Sequence, residues 1–269
     1  MDFFTLLSAA INDFIQYGYD DENRLKQWVD KLRYAAQKSM ISEKQMQIEI
    51  NKSLNNAFNR LVIRGGLVNK DVSKFTVDKL KPKLRQELDR RIVASARLIK
   101  LNREDAITTT LRRFEGWATS IPQGGSKSVD KVAEKSHIRK DLASIKFRER
   151  RVIIDQTHKL ISSINEIVAV DNGAIAFEWH SNWKQAGYDY RVDHKERDKV
   201  IYLVRDNWAS KAGLIKPVNG YYDDITAVGE EVFCRCFANG IYNIRKLPNE
   251  FLTAKGEIHL QSQKTVIGK

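Results

Sequence analysis

The sequence predicts an α+β protein, a mostly helical N-terminal part joined to a small C-terminal α+β unit with a short antiparallel sheet. Three observations predict it. Apolar residues recur at three- and four-residue spacing through the first half of the chain. After Asn172-Gly173 the texture changes to short alternating runs rich in aromatics. Turn residues separate those runs. The corresponding blocks are a helical domain over 1–120, a linker and short helix over 121–144, a helix plus α+β domain over 145–248, and a tail over 249–269.

The opening stretch MDFFTLLSAAINDFIQYGYD reads as an amphipathic helix. It lacks a basic n-region, carries Asp2 and Asp13, and offers no small-residue cleavage site, so it is not read as a signal peptide. In ENRLKQWVDKLRYAAQKSM, the residues Leu25, Trp28, Val29, Leu32 and Ala36 form one face. Ser42 and Gln45 make a capping-box pattern ahead of a helix whose face is Met46, Ile50, Leu54, Ala57, Phe58 and Leu61, with Gly65-Gly66 as its stop. Thr76 or Asp78 is expected to cap the next helix, placing Pro82 in a first turn. Its apolar face runs through Leu84, Leu88, Ile92, Ala96 and Ile99, with a break expected near Asn102 on the way to Trp117. The opposite face is basic: Lys83, Arg85, Arg90, Arg91, Arg97, Lys100 and Arg103, then Arg112 and Arg113. Such a face is either a solvated helix surface with i,i+4 pairs or an electrostatic surface for DNA.

SIPQGGSKSVD, residues 120–130, is the clearest break in the chain and reads as a turn or linker. Its Gly-Gly has no phosphate-loop spacing. A long helix follows, with Val152, Ile153, Gln156, Leu160, Ile164, Ile167 and Val168 on a broad face. Asp155 and His158 are three apart on it, a spacing that favours a structural or solvated pair over catalysis. AIAFEWHSNW then reads as a strand, with a second strand near Val200–Val204, a short helix capped at Asn207, and a turn at NGYYDDI. EVFCRCFANGIYNIRKLP reads as a hairpin turning at Asn239-Gly240. From about Gly256 the chain lacks periodicity and is expected to be a mobile tail.

The composition, 42% hydrophobic and 30% charged over 269 residues, is globular and excludes a disordered chain. Two cysteines make no disulfide framework and fit a reducing compartment. No apolar run approaches the roughly 18 residues of a membrane span, so a soluble protein made inside a cell is expected. A net charge of +12 points to an anionic partner, nucleic acid first and an acidic protein surface second. The plainer alternative is lysine serving solubility.

Cys234 and Cys236 raise the chemical question. On a regular strand they share a face with Cα atoms roughly 6.5 Å apart, a poor disulfide geometry. Three readings stay open: two buried thiols, two ligands of a soft metal, or a reactive dithiol. For zinc, the available partners are His194 and, as a fourth, His180. A bulge near Arg235 would be needed to aim both sulfurs at one ion. His194 could alternatively activate a cysteine nucleophile. HKERD, residues 194–198, with Asp223-Asp224 could also form a magnesium or nuclease site.

The order Trp183, DYRVDH (Asp189 to His194), an aromatic-aliphatic strand, a Pro/Gly turn and Cys234-Arg235-Cys236 resembles the head-morphogenesis domain of tailed bacteriophages, the family named after the F protein of phage Mu. The resemblance covers roughly residues 145–245. Relatives often carry C-x-x-C where this chain has Arg191 to His194, and a histidine or asparagine where it has Phe233. The resemblance implies a minor head protein of the virion, in the head or neck, made in the bacterial host cytoplasm. It would act in head morphogenesis, associating with the portal and capsid, and in DNA packaging or ejection. The cysteines and His194 would be the knot of the domain, with metal-ligand character in some relatives, and no catalysis is expected. Lys83, Arg85, Arg90, Arg91, Arg97, Lys100, Arg112 and Arg113 would then meet DNA by non-specific electrostatics. The competing function is a metal-dependent nuclease or toxin-like enzyme using the C-terminal unit.

Overall fold

The computed structural model describes residues 1–64 and 73–267. Helices α1 (Phe3–Tyr17), α2 (Glu22–Ser39), α3 (Glu43–Phe58), α4 (Lys74–Ser120), α5 (Lys131–Ala143) and α6 (Ile145–Asp171) come first. Then follow β1 (Ala176–His180), α7 (Val192–Glu196), β2 (Ile201–Leu203), α8 (Trp208–Lys211), β3 (Phe237–Ile241) and α9 (Ala254–Ile267). This is the mostly helical chain with a small C-terminal antiparallel sheet that the periodicity predicts. No helix among the described residues is long and apolar enough to cross a membrane.

The chain divides into two compact units, Met1–Lys52 with Ile92–Ile153, and Ser53–Arg91 with Ile154–Lys269. In the first unit α1 starts where the Asp2 carboxylate accepts from Phe4 N and Thr5 N at 2.9 and 3.1 Å. Its apolar face, Phe3, Leu7, Ile11 and Phe14, packs with Val29 and Leu32 of α2, Leu111 and Phe114 of α4, and Ile138 of α5. The 120–130 loop lies within this unit. Gly125 has φ +87°, and a Cβ there would run into the Ile15 carbonyl. Ser126 N donates to that same carbonyl at 2.9 Å, so the Gly-Gly turn lets the loop press against the end of α1.

Several local expectations change. Ser42 Oγ does accept from Gln45 N at 3.2 Å, and the predicted face of α3 is buried. The Gly65-Gly66 stop lies outside the described residues. Helix α4 begins earlier than Thr76 or Asp78 would set it, with Ser73 Oγ accepting from Thr76 N at 3.2 Å. Pro82 therefore sits inside the helix, on an exposed position where water can satisfy the carbonyl its ring leaves unbonded. No break occurs at Asn102. The next residue, Arg103, is buried and bonds the Glu149 carboxylate and the Ile41 carbonyl, which fixes that turn of helix. Residues 254–267 form α9 instead of an aperiodic tail. Its Gly256 packs so closely on Leu214 that a Cβ would meet the Leu214 carbonyl.

In the second unit the sheet order is β2-β1-β3, antiparallel throughout. Gly173, at φ +81°, ends α6 and lets the chain enter β1. Phe177 and Trp179, two residues apart, share one face of β1. Phe177 packs on Tyr222 with ring centroids 4.4 Å apart. The expected hairpin at Asn239-Gly240 is absent. Both residues lie mid-strand, Asn239 opposite Glu178 and Gly240 opposite Phe177, and neither has the positive φ such a turn requires. A cavity of about 50 Å³ borders α6 and the sheet, lined by residues that include His158, Ser162, Glu166, Phe177 and Tyr222.

Burial pushes the Glu166 carboxyl from 4.5 up to about 7, and the Glu230 and Glu87 carboxylates add to the push. Tyr222, beside the same cavity, is raised by its own burial. The folded state therefore holds a proton on Glu166 that the unfolded chain releases, so this group's contribution to stability declines as pH rises from 4.5 to about 7. Above that window the full cost is about 3 kcal/mol. Glu166→Gln removes it. The variant should melt higher than the native chain at pH 8 and close to it at pH 5, and an equal difference at both pH values would contradict the assignment.

Candidate metal centre

The centre is built from three segments of the second unit. Trp179, fully buried on β1, provides its wall. Helix α7 carries His194 inward, and the two rings meet edge to face at 5.4 Å. The chain just before β3 supplies Cys234 and Cys236. This last segment is not strand. Phe233 adopts φ +59°, which turns the backbone ahead of the cysteines, and β3 begins only at Phe237. The turn takes the place of the bulge expected near Arg235 and brings both sulfurs to one side.

Without a strand partner, residues 230–236 must satisfy their peptide groups otherwise. Glu230 N and Cys234 N donate to the main-chain carbonyls of Ala227 and Glu231 at 3.2 Å, and side chains serve several of the rest. Helix α6 supplies three: Asp155 accepts from Phe233 N at 2.6 Å, Lys159 donates to Glu230 O at 2.7 Å, and His158 Nε2 lies 3.4 Å from Cys236 O. The loop between β1 and α7 supplies three more side chains. Asn182 donates to Arg235 O at 2.7 Å, the Tyr188 hydroxyl donates to Phe233 O and accepts from Arg235 N, and Arg191 donates to Val232 O. Burial lowers the His158 imidazole and raises the Tyr188 phenol, so both are held neutral.

His194 Nδ1 lies 3.7 Å from Cys234 Sγ and 3.5 Å from Cys236 Sγ, and the three ligand atoms all fall within 4.8 Å of one another. The cysteines are free, and the three residues are at most 2% exposed. A tetrahedral ion with bonds of about 2.3 Å to sulfur and 2.0 Å to nitrogen has N···S edges of about 3.5 Å. The observed separations match that edge. The Glu231 carboxylate stands 3.2 Å from His194 Nε2, without the alignment of a full hydrogen bond, and is itself held by Arg191 at 2.7 Å. A carboxylate there favours the ring proton on Nε2 and leaves the Nδ1 lone pair toward the sulfurs. Gly229 N donates to Cys234 Sγ at 3.5 Å. The Cys234 thiol is pulled down to about 5, first by a hydrogen bond from Cys236, while the same bond pushes Cys236 up. The two thiols thus share a hydrogen bond that favours losing one proton from the pair, and a bound ion would displace both.

His180 does not belong to the group. It stacks on Phe237, and its ring nitrogens face Lys199 Nζ at 2.8 Å and Asn239 at 2.9 Å. A Cys₂His set leaves the fourth tetrahedral position to a non-protein ligand such as water. The acidic residues proposed for a magnesium site do not converge. Asp223 and Asp224 both bind Arg205, Glu196 is exposed to solvent, and Asp198 accepts from Ser181 N and the Trp183 indole. Among the described residues, His194, Cys234 and Cys236 are the group able to hold an ion.

The predicted DNA-binding residues fall in both units. Lys83 pairs with Asp171, Arg85 bonds Asn55, and Arg90 and Arg91 both grip Glu87, with Arg91 reaching Ser163 as well. Burial opposes ionisation of Glu87, yet the two guanidiniums keep its carboxyl below the usual range. Arg113 pairs with Asp141, Lys100 stands 3.8 Å from Glu43, and Arg97 and Arg112 are exposed. Much of the basic face is therefore occupied by internal pairs.

The sequence reading missed the support around the cysteines. Its signal was Asp155, His158 and Lys159, spaced i, i+3, i+4 on a helix whose neighbouring turns bury Leu160 and Ile164. Comparisons of the chain with protein-family models, curated proteins and solved structures return no match.

Asp155→Ala leaves the Phe233 amide without its acceptor and should lower unfolding stability by about 2 kcal/mol. Asp155→Asn keeps an acceptor oxygen and should cost less. Urea denaturation measures both, and an Asp155→Ala curve overlying the native one would refute this role.

Proposed function

We propose that the chain is a phage minor head protein, a non-catalytic virion component that contacts the portal or capsid and packaged DNA, with zinc stapling its C-terminal unit. The observation that carries the staple is the buried Cys234–Cys236–His194 triangle with N···S edges of 3.5 and 3.7 Å. The ligands are at most 2% exposed and pack against Trp179, which supports a structural ion over a catalytic one although three protein ligands leave the fourth position open. The virion reading is supported by the arrangement of Asp189–His194 and Cys234-Arg235-Cys236, which resembles the Mu F-like head-morphogenesis domain. The charge of +12 supports DNA or an acidic portal surface as partner.

Elemental analysis of the purified chain should find one zinc per molecule. His194→Ala and the Cys234→Ser/Cys236→Ser double variant should lose it and melt at lower temperature, whereas a metal-free native chain melting like the double variant would overturn the staple. For the virion reading, mass spectrometry of purified, nuclease-treated particles from a host carrying the gene should detect the chain in few copies per particle. Consistent absence from particles that contain their portal would reject it.

A further inference from the structure

A second cluster on the same unit combines exposed rings with ammonium groups. Trp183 and Tyr190, from the loop between β1 and α7, meet edge to face with centroids 6.4 Å apart. Lys184 and Lys195 hold their ammonium groups over the Trp183 ring, 5.0 and 4.7 Å from its centroid, and Lys195 also lies over Tyr190 at 5.8 Å, so an incoming base would displace these flexible side chains onto its phosphates. Trp183 is only partly buried, and Tyr190 is 37% exposed. A hydrogen bond orients the indole. Its N–H donates to one Asp198 oxygen at 3.1 Å, while the other oxygen accepts from Ser181 N at 2.8 Å. That backbone bond holds the Asp198 carboxyl below its ordinary range, so the anchor stays ionised. Three residues before Trp183, His180 is covered by Phe237, which lies flat on it with centroids 4.8 Å and planes 3° apart and is itself 39% exposed.

A partly buried indole oriented by a hydrogen bond, with two lysine ammonium groups over its ring, is poorly explained as core packing. Unpaired bases offer flat π-faces to such rings, and the phosphates beside them attract ammonium groups. A duplex hides its base faces in the stack, and an acidic peptide has charge but no row of flat rings. We infer that the Trp183–Tyr190 loop is a stacking platform for single-stranded nucleic acid, with Lys184 and Lys195 on the flanking phosphates. The inference rests on nucleic acid being the anionic partner in the reading above, and narrows it to an unpaired strand at a surface other than the α4 stripe.

Fluorescence anisotropy with a labelled oligo-dT, and with a mixed-sequence duplex of equal length, tests it. Trp183→Ala/Tyr190→Ala should weaken oligo-dT binding about 10-fold or more and leave duplex binding unchanged. Trp183→Phe, which keeps a ring and the fold, should retain most of the affinity. Lys184→Ala/Lys195→Ala should reduce the salt slope on oligo-dT by about 1.4, from roughly 0.7 per phosphate contact. No loss on oligo-dT, or an equal loss on both ligands, overturns the platform. So does polyglutamate binding as tightly as oligo-dT and equally to the native chain and the double alanine variant. A native chain that binds duplex but not oligo-dT removes the platform and leaves the DNA reading standing, whereas binding to neither removes both.

Discussion

The structure of the C-terminal unit depends on how residues 230–236 satisfy their peptide groups. This segment buries Cys234 and Cys236 without a strand beside it, and buried amides and carbonyls left unbonded there would be costly. Side chains of α6 and of the 182–191 loop take the role that a neighbouring strand takes elsewhere. The same bonds set the turn at Phe233, and the turn aims Cys234 and Cys236 at His194. Sheet, helix and loop therefore converge on the cysteines through polar contacts to main chain as much as through packing around Trp179.

Helices were legible because their signal is periodic and local. The faces of α1, α2 and α3 follow from three- and four-residue spacing, and α8 from Asn207, whose side chain accepts from Ser210 N at 2.9 Å. The cysteine segment was not legible as a turn. Aromatic and β-branched residues there satisfy a strand pattern, and the left-handed conformation of Phe233 has no sequence signature, since its support comes from Asp155 far along the chain. Asn239-Gly240 misled for a related reason: the pair suits a hairpin turn, but β1 lies alongside it and takes both residues into the sheet. Helix α9 escaped notice because its placement depends on Gly256 packing against Leu214, a contact that no periodicity announces.

At the site, residue chemistry named His194, Cys234 and Cys236, because soft sulfur and imidazole ligands are few in this chain. It added His180 as a fourth ligand, since both histidines lie in the same small unit. The fold separates them: α7 buries His194 against Trp179, whereas His180 lies on β1 stacked beneath Phe237. The basic stripe shows the opposite limit. Counting cations on a helix face ignores partners supplied from elsewhere, such as Asp171 for Lys83 and Asp141 for Arg113. Net charge predicts an anionic partner, but the surface that meets it is set by which cations the fold leaves available.

The closure of the His194–Cys234–Cys236 triangle on an ion is the central claim, and X-ray absorption at the zinc edge of the natively purified chain tests it most directly. The proposed staple predicts two sulfur neighbours at about 2.3 Å and a nitrogen at about 2.0 Å around each zinc. A shell of nitrogen and oxygen alone would contradict it, as would a chain that carries no zinc.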